Sequence, residues 1–361
     1  MAVQPAADAV VAGEVEETLV ELARVVIAGG AVAHMAGVTT STAVTAPVVR
    51  RVALSVPERR GLAPLDRYAR YLEKGVARLA GYVEATRGCL HTCRHCPVVP
   101  IYNGRFFAVP AELVMADIRQ QVAAGAEHIT FGDPDFLNGP GHAMKIVRQL
   151  HAEFPLVTFD FTTKVEHVLE HAALMPELAA CGATFAVSAF EATSNLVLAR
   201  LHKGHTVADM GAALKVLRQV GIAPQPTWMP FTPWTSLEDY LDLLLWIREQ
   251  DLIAHVPGVQ LSIRMLVPPD SALLAEAETA AWLGELDARN FTYRWAHADP
   301  RMDALHAEVT RLAELADDED PYGAFAVIEA AAYFVAGRRP PPAMVPVGAV
   351  APPRLSEHWF C

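Results

Sequence analysis

With 361 residues, 52% hydrophobic and 19% charged, the chain has room for one large domain or two ordinary ones, and wholesale disorder is excluded. A net charge of −12, from 29 basic and 41 acidic residues, argues against a broad nucleic-acid footprint, because such binding relies on Lys and Arg neutralising phosphates. The five cysteines are clustered and odd in number, which argues against a disulfide scaffold and for a reducing compartment.

The opening Met1-Ala2-Val3-Gln4 lacks the basic region of a signal peptide, and Glu14, Glu16 and Glu17 follow closely. The apolar stretch Val25 to Val38 contains His34 and is shorter than the ~20 residues a membrane span needs. A cytoplasmic protein without a membrane span is therefore expected. Residues 1–76 read as an N-terminal arm. Within it, Glu14 to Ile27 carries Val15, Leu19, Leu22, Val25 and Val26 at helical spacing, and Gly29-Gly30 stops that helix. Leu65 to Leu79 reads as a second helix, with Tyr68, Tyr71 and Leu72 on one side.

From residue 77 to residue 267 strands and helices alternate. Gly81 to Thr86 reads as the first strand; a cysteine-rich loop follows, then a helix from Pro110 to Ala124 that opens on proline, the residue favoured at the first helical position. His128 to Gly132, Leu156 to Thr162, Phe185 to Phe190, Ala223 to Met229 and Val259 to Leu266 read as strands two to six. Between them lie helices at Gly141 to Glu153, Val165 to Ala180 with a break at Pro176, Met210 to Val220 and Leu237 to Glu249. This alternation predicts an α/β fold with a parallel sheet and right-handed crossovers. Residues 268–337 read as a helical C-terminal extension, with helices at Ala272 to Ala288, Met302 to Ala316 and Ala324 to Ala336 and an acidic break at Asp317 to Asp320. Residues 338–361 form a proline-rich tail ending in Cys361.

The loop after the first strand is Arg87-Gly88-Cys89-Leu90-His91-Thr92-Cys93-Arg94-His95-Cys96-Pro97, with the spacing Cys-x3-Cys-x2-Cys. Thiolates suit zinc, copper or iron–sulfur clusters. A closed cluster takes four cysteines, so three leave one iron open to an outside ligand. A structural zinc site, completed by His91 or His95, is the alternative. The spacing resembles the cluster loop of the radical S-adenosylmethionine (radical SAM) enzymes, and the resemblance extends from about Tyr82 to Leu266. It implies a partial (βα)6 barrel, a 4Fe–4S cluster on Cys89, Cys93 and Cys96, and S-adenosylmethionine bound at the open iron and cleaved reductively. It also implies an external electron donor such as flavodoxin or ferredoxin.

Sites in such barrels gather where strands end. Gly132, Asp133 and Pro134 occupy the position of the family's Gly-Gly-Glu segment, whose backbone carbonyls hold the cofactor's amino group; an ordinary capped turn is the alternative. Asp135 and Asn138 are candidates to face substrate. Ser188 and Glu191 end the fourth strand, where the family contacts the cofactor's ribose or carboxylate. Arg200 is the candidate clamp on that carboxylate, against a solvated basic helix end in Arg200-Leu201-His202-Lys203-Gly204-His205. Lys164 reads as an exposed rim lysine, with reach to a carboxylate as the alternative. Gln225 and Thr227 alternate onto one face. Gln260, Ser262 and Arg264 would form a polar row inside the barrel, with a structural ion pair as the alternative for Arg264. Tyr293 to His297 is expected to close the barrel's open side, and Cys181 reads as a small buried hydrophobe.

The expected function is radical chemistry on a small molecule or peptide. Radical-based tRNA modification and a non-catalytic zinc protein are the competing readings. The terminal Trp359-Phe360-Cys361 resembles the start of the tail in a radical SAM subgroup named for Cys-Sec-Ala-Glu-Pro or Cys-Cys-Ala-Glu-Pro endings. A selenocysteine codon read as stop is one explanation of that ending, and a frayed terminus is the other.

Overall fold

The computed structural model describes residues 7–316, 320–344 and 351–357; Cys361 and its neighbours lie outside them. At the N-terminus β1 (Ala9–Val11) pairs antiparallel with β2 (Val38–Thr40), Ala9 opposite Thr40, and α1 (Glu16–Ile27) runs between them. None of the residues of α1 is buried. Polar contacts instead tie this arm to the cysteine loop: buried Glu14 accepts from Arg87 Nη1 at 3.0 Å and from the Tyr102 hydroxyl at 2.8 Å.

The expected helix at Leu65 to Leu79 is corrected to a single 3-10 turn, Leu65–Arg67, followed by the hairpin β3 (Arg70–Glu73) and β4 (Val76–Val83). The reason lies in the turn. Lys74 and Gly75 both take positive φ, 49° and 78°, the conformation whose twist suits a two-residue hairpin. Next come β5 (Thr86–Gly88), α2 (Val99–Tyr102) and β6 (Phe106–Ala108), with β5 and β6 pairing antiparallel around the cysteine loop.

The barrel then follows: α3 (Ala111–Ala123), β7 (His128–Phe131), α4 (Pro140–Glu153), β8 (Thr158–Thr162), α5 (Val165–Glu170), α6 (Met175–Ala180), β9 (Ala183–Glu191), α7 (Asn195–Arg200), α8 (Val207–Gln219), β10 (Ala223–Trp228) and α9 (Leu237–Glu249). The break expected at Pro176 falls between α5 and α6, where Pro176 opens α6. The hairpin β11 (Leu283–Asp287) and β12 (Thr292–Trp295), α10 (Pro300–Leu315), α11 (Pro321–Val335) and β13 (Arg354–Leu355) complete the chain.

Seven strands form one sheet in the order β10-β9-β8-β7-β4-β3-β13. β4, β7, β8, β9 and β10 are parallel, and β3 and β13 add antiparallel at one edge. The sheet curls. Tyr71 of β3 stacks on His128 of β7 with ring centroids 4.0 Å apart, and lies 6.3 Å from Phe185 of β9, three strands farther along the sheet from β4. Alternation then sends Ile129, Phe131, Phe159 and Phe161 outward into the helix-covered core, while Thr130, Asp160 and Gln225 line the interior. The fold class is the expected α/β partial barrel.

Two further expectations are corrected. Val259 to Leu266 is not a strand; it is a 3-10 turn, Gly258–Leu261, followed by a single parallel bridge between Phe231 and Arg264. Trp228 N–H donates to the Gln260 side-chain carbonyl at 2.8 Å, so a side chain fills the place a ladder carbonyl would take. Ala272 to Ala288 is not a helix either: two 3-10 turns lead into β11. Trp282 packs edge-on against Trp234 and Trp295, fixing this segment by tertiary contact.

Candidate active site

The cysteine loop leaves β5 at Gly88, which takes φ 77° where a Cβ would meet the Arg105 carbonyl at 2.4 Å. Cys89, Cys93 and Cys96 are all free. Burial pushes the Cys89 thiol up and the Cys96 thiol up to about 11, with their neighbouring sulfurs adding to both. A nearby cation or a bound metal offsets the cost of thiolates at those two positions. One cation is already in place. Lys203, 3% exposed, feels both Cys93 and Cys96. Burial works against its charge, but Glu191 and those sulfurs hold its pKa above the ordinary value.

Glu191 is the hinge of this arrangement. It sits at φ 65° at the end of β9, and its Oε1 accepts from Lys203 Nζ at 2.9 Å and contacts His95 Nε2 at 3.1 Å. Burial opposes its ionisation, yet Lys203 and His95 together hold its carboxyl well below the usual range. The loop is anchored on further sides. Arg94 N–H donates to the Leu201 carbonyl at 3.0 Å, and Arg94 pairs with Glu276 at 3.1 Å. Leu90 N–H donates to Asn138 Oδ1 at 3.3 Å.

The turn after β7 packs beneath the loop. Gly132 has no room for a side chain, because a Cβ there would lie 2.0 Å from the Tyr82 hydroxyl, which donates to the Gly132 carbonyl at 3.4 Å. Asp133, at the chamber wall, accepts from Thr86 Oγ1 at 2.6 Å and Ala85 N–H at 3.0 Å. Burial pushes its carboxyl up to about 6 against those hydrogen bonds. Asp135, fully buried, accepts from Thr163 Oγ1 at 3.1 Å and meets His167.

Below the loop a chamber of about 410 Å³ opens into the barrel, lined by Cys96, Gly132, Pro134, Asp160, Thr162 and Thr227 among others. Asp160 is fixed by His128 Nε2 at 2.9 Å and by the Thr130 hydroxyl at 2.7 Å. The Thr227 hydroxyl has no hydrogen-bond partner among the described residues. Arg354, Leu355 and Glu357 of the tail also line this chamber, and Gln225 Nε2 donates to the Pro353 carbonyl at 2.8 Å. The barrel's open side is thus met by the tail, while the segment Tyr293 to His297, expected there, packs with Trp282 and Arg264.

Of the residues singled out by sequence, Cys96, Gly132, Asp133, Pro134, Gln225, Thr227 and Gln260 line this chamber, Cys89 and Cys93 sit in the loop above it, and Glu191 supports that loop. Ser188, Arg200 and Arg264, expected at the cofactor, do not line it. Ser188 shares the strand face of Ala186 and Phe190, which pack toward the helices. Arg200 pairs with Glu278, although its carbonyl accepts from Arg94 Nη1 at 3.4 Å. Arg264 stacks 3.6 Å over the Trp295 ring and pairs with Asp303 at 2.7 Å, the structural alternative for that residue. Lys164 is buried and pairs with Glu166 at 3.0 Å, so it is no exposed rim lysine. Cys181 is buried, as expected of a small hydrophobe. Sequence reasoning missed His167 and the role of Lys203, and had His95 only as a possible zinc ligand; the basic run was the trace of Lys203, since burial is not written in a single residue.

Residues 83–247 match the Radical SAM superfamily. Among solved structures, the radical S-adenosylmethionine methyltransferase TsrM from Kitasatospora setae, with tryptophan substrate and a SAM analogue bound, is 22% identical with a TM-score of 0.54, over 68% of this chain and 49% of that one. The cobalamin-dependent S-adenosylmethionine radical enzyme OxsB, with aqua-cobalamin and S-adenosylmethionine bound, is 15% identical with a TM-score of 0.65, over 90% of this chain and 55% of that one. At these identities the likeness is one of fold. The chain spans about half the length of either protein. No curated protein matches it.

Proposed function

We propose that the chain, whose residues 83–247 match the Radical SAM superfamily, is an enzyme in which Cys89, Cys93 and Cys96 hold a 4Fe–4S cluster whose open iron takes S-adenosylmethionine. The fit rests on three free thiols of one loop that sense one another's charge beside a buried lysine, with no fourth cysteine in the loop. Bound there, the cluster supplies the electron that splits the sulfonium and starts radical chemistry. The protein's own part is to orient and to shield. Lys203 offsets the thiolate charge, and Glu191 and His95 fix Lys203 and the loop against β9. The Gly132 carbonyl, steered by Tyr82, and Pro134 offer backbone to the cofactor at the chamber wall. Thr227, unpartnered and facing the chamber, is a hydroxyl available to a ligand.

The chamber volume is that of a site for one small molecule, and the substrate in this reading is a small molecule or a peptide side chain. Arg200 and Arg264 could reach a cofactor only by leaving Glu278 and Asp303, so the carboxylate contact is assigned to neither. An external reductant of the flavodoxin or ferredoxin class would deliver the electron. The observation that carries the reading is the Cys-x3-Cys-x2-Cys loop seated over the C-terminal ends of parallel strands.

The test is anaerobic purification followed by iron and sulfide analysis and reaction with S-adenosylmethionine under reduction. About four irons per chain and cleavage of the sulfonium are expected, both lost when the three cysteines become alanine. A colourless zinc protein, or iron retained without those cysteines, would sink the proposal.

A further inference from the structure

Beside the cysteine loop, three side chains from three elements aim their donor atoms at one another. His91 comes from the loop itself, Asp135 from the turn after β7, and His167 from α5. One donor atom of each lies within 4.8 Å of the other two. His91 Nε2 and His167 Nε2 are 3.2 Å apart, His167 Nδ1 is 2.8 Å from Asp135 Oδ2, and His91 Nε2 is 3.8 Å from the same oxygen. Asp135 is fully buried. Its Oδ1 accepts from Leu137 N–H at 3.2 Å and Thr163 Oγ1 at 3.1 Å. That fixes the carboxylate plane and presents Oδ2 to the histidines, the outer support a metal-ligating carboxylate ordinarily has.

We propose that His91, Asp135 and His167 form a binding site for a divalent first-row transition ion of the zinc class, distinct from the three-thiolate site. Two imidazoles and one carboxylate are a recurrent donor set for such ions, leaving a position for water or a substrate oxygen. Two nitrogens on a tetrahedral zinc, each at about 2.0–2.1 Å, stand about 3.3 Å apart, close to the 3.2 Å between His91 Nε2 and His167 Nε2. Asp135 Oδ2 faces the other His167 nitrogen, Nδ1, so an ion held by all three takes one nitrogen of His167 and a small shift of the carboxylate or the ring. The charge balance allows it. Lys164 is the cation in the neighbourhood, and it is paired with Glu166, whose Oε2 also lies 3.7 Å from His91 Nδ1. The consequence is mechanical. An ion held there joins the cysteine loop, between Cys89 and Cys93, to β7 and α5, and limits how far the loop can shift over the chamber.

The site does not depend on the cluster, and the experiment keeps the two apart. The whole chain, cluster-loaded and anaerobic, is dialysed against Zn²⁺, and zinc, iron and sulfide are counted by mass spectrometry. One zinc per chain beyond the iron is expected. His167→Ala and Asp135→Asn should each weaken zinc binding by at least about 100-fold while iron content stays. The triple cysteine-to-alanine variant should lose iron, keep zinc, and take Co²⁺ without a sulfur-to-cobalt charge-transfer band. No zinc beyond the iron would overturn the proposal. So would unchanged zinc binding in a His167→Ala protein whose circular dichroism is native; the three residues would then be a hydrogen-bonded relay only. In the unmutated chain, zinc bound without iron sinks the cluster assignment alone, and iron bound without zinc sinks this one alone.

Discussion

Gly88 shows how one residue sets the geometry of a whole loop. Its φ of 77° and the 2.4 Å that would separate a Cβ from the Arg105 carbonyl leave glycine as the only residue that fits. Gly88→Ala is expected to cost about 1–3 kcal/mol in backbone strain alone, and to lower iron occupancy because the cysteines follow immediately. Urea unfolding and iron analysis check it; full iron in the variant would refute the link. His205 supplies a pH prediction. Burial, helped by nearby Lys203, lowers its pKa to about 4 from 6.5. The folded state therefore holds the neutral ring while the unfolded chain protonates. Its contribution is present above pH 6.5 and is lost as pH falls through about 4, a change on the order of 3 kcal/mol. His205→Gln should flatten the stability–pH curve in that window, and an unchanged slope would remove the assignment.

Among elements, the union of β9 with the stretch after α7 is the decisive one. Glu191 and Lys203 are 4% and 3% exposed and bridge the strand end to the loop beneath the cysteines. Removing one partner of a buried pair leaves an uncompensated charge, about 3–5 kcal/mol. Lys203→Met should show that loss in denaturant melts. The double variant Lys203→Met, Glu191→Gln should recover a good part of it, because no bare carboxylate remains. If the double variant is as unstable as the sum of the singles, the pair is not coupled as described. The hairpin β3–β4 makes the same point about elements. A stretch with helical apolar spacing became two strands because Lys74-Gly75 could turn and Tyr71 had His128 to stack on.

At the scale of the molecule, the curled sheet leaves an open side and the chain's own tail meets it. β13 pairs with β3, Ser356 N–H donates to the Arg70 carbonyl at 2.7 Å, and Leu355 is buried against Tyr71 and Phe185. A chain ending at residue 344 should exchange β3 amides faster and lose about 1.5–3 kcal/mol from the Leu355 burial. Hydrogen exchange with and without the tail decides it; equal protection of β3 would mean the tail contributes no closure.

Periodicity and turn chemistry were enough to read the α/β alternation, the break at Pro176 and the helices α10 and α11 to within a few residues, because burial of an apolar stripe repeats along the chain. The cysteine loop was legible for a different reason: ligand spacing within one loop is a local property. What the residues alone could not decide was every partner chosen across the fold. Arg264 alternates with Gln260 and Ser262 as a strand residue would, yet it lies outside the barrel because Asp303 and Trp295 are there to receive it. Lys203 and Glu191 are 12 positions apart, and His91 meets His167 across 76. Ion pairs, curled sheets and clustered histidines are made by distances in space, and only the folded chain sets those.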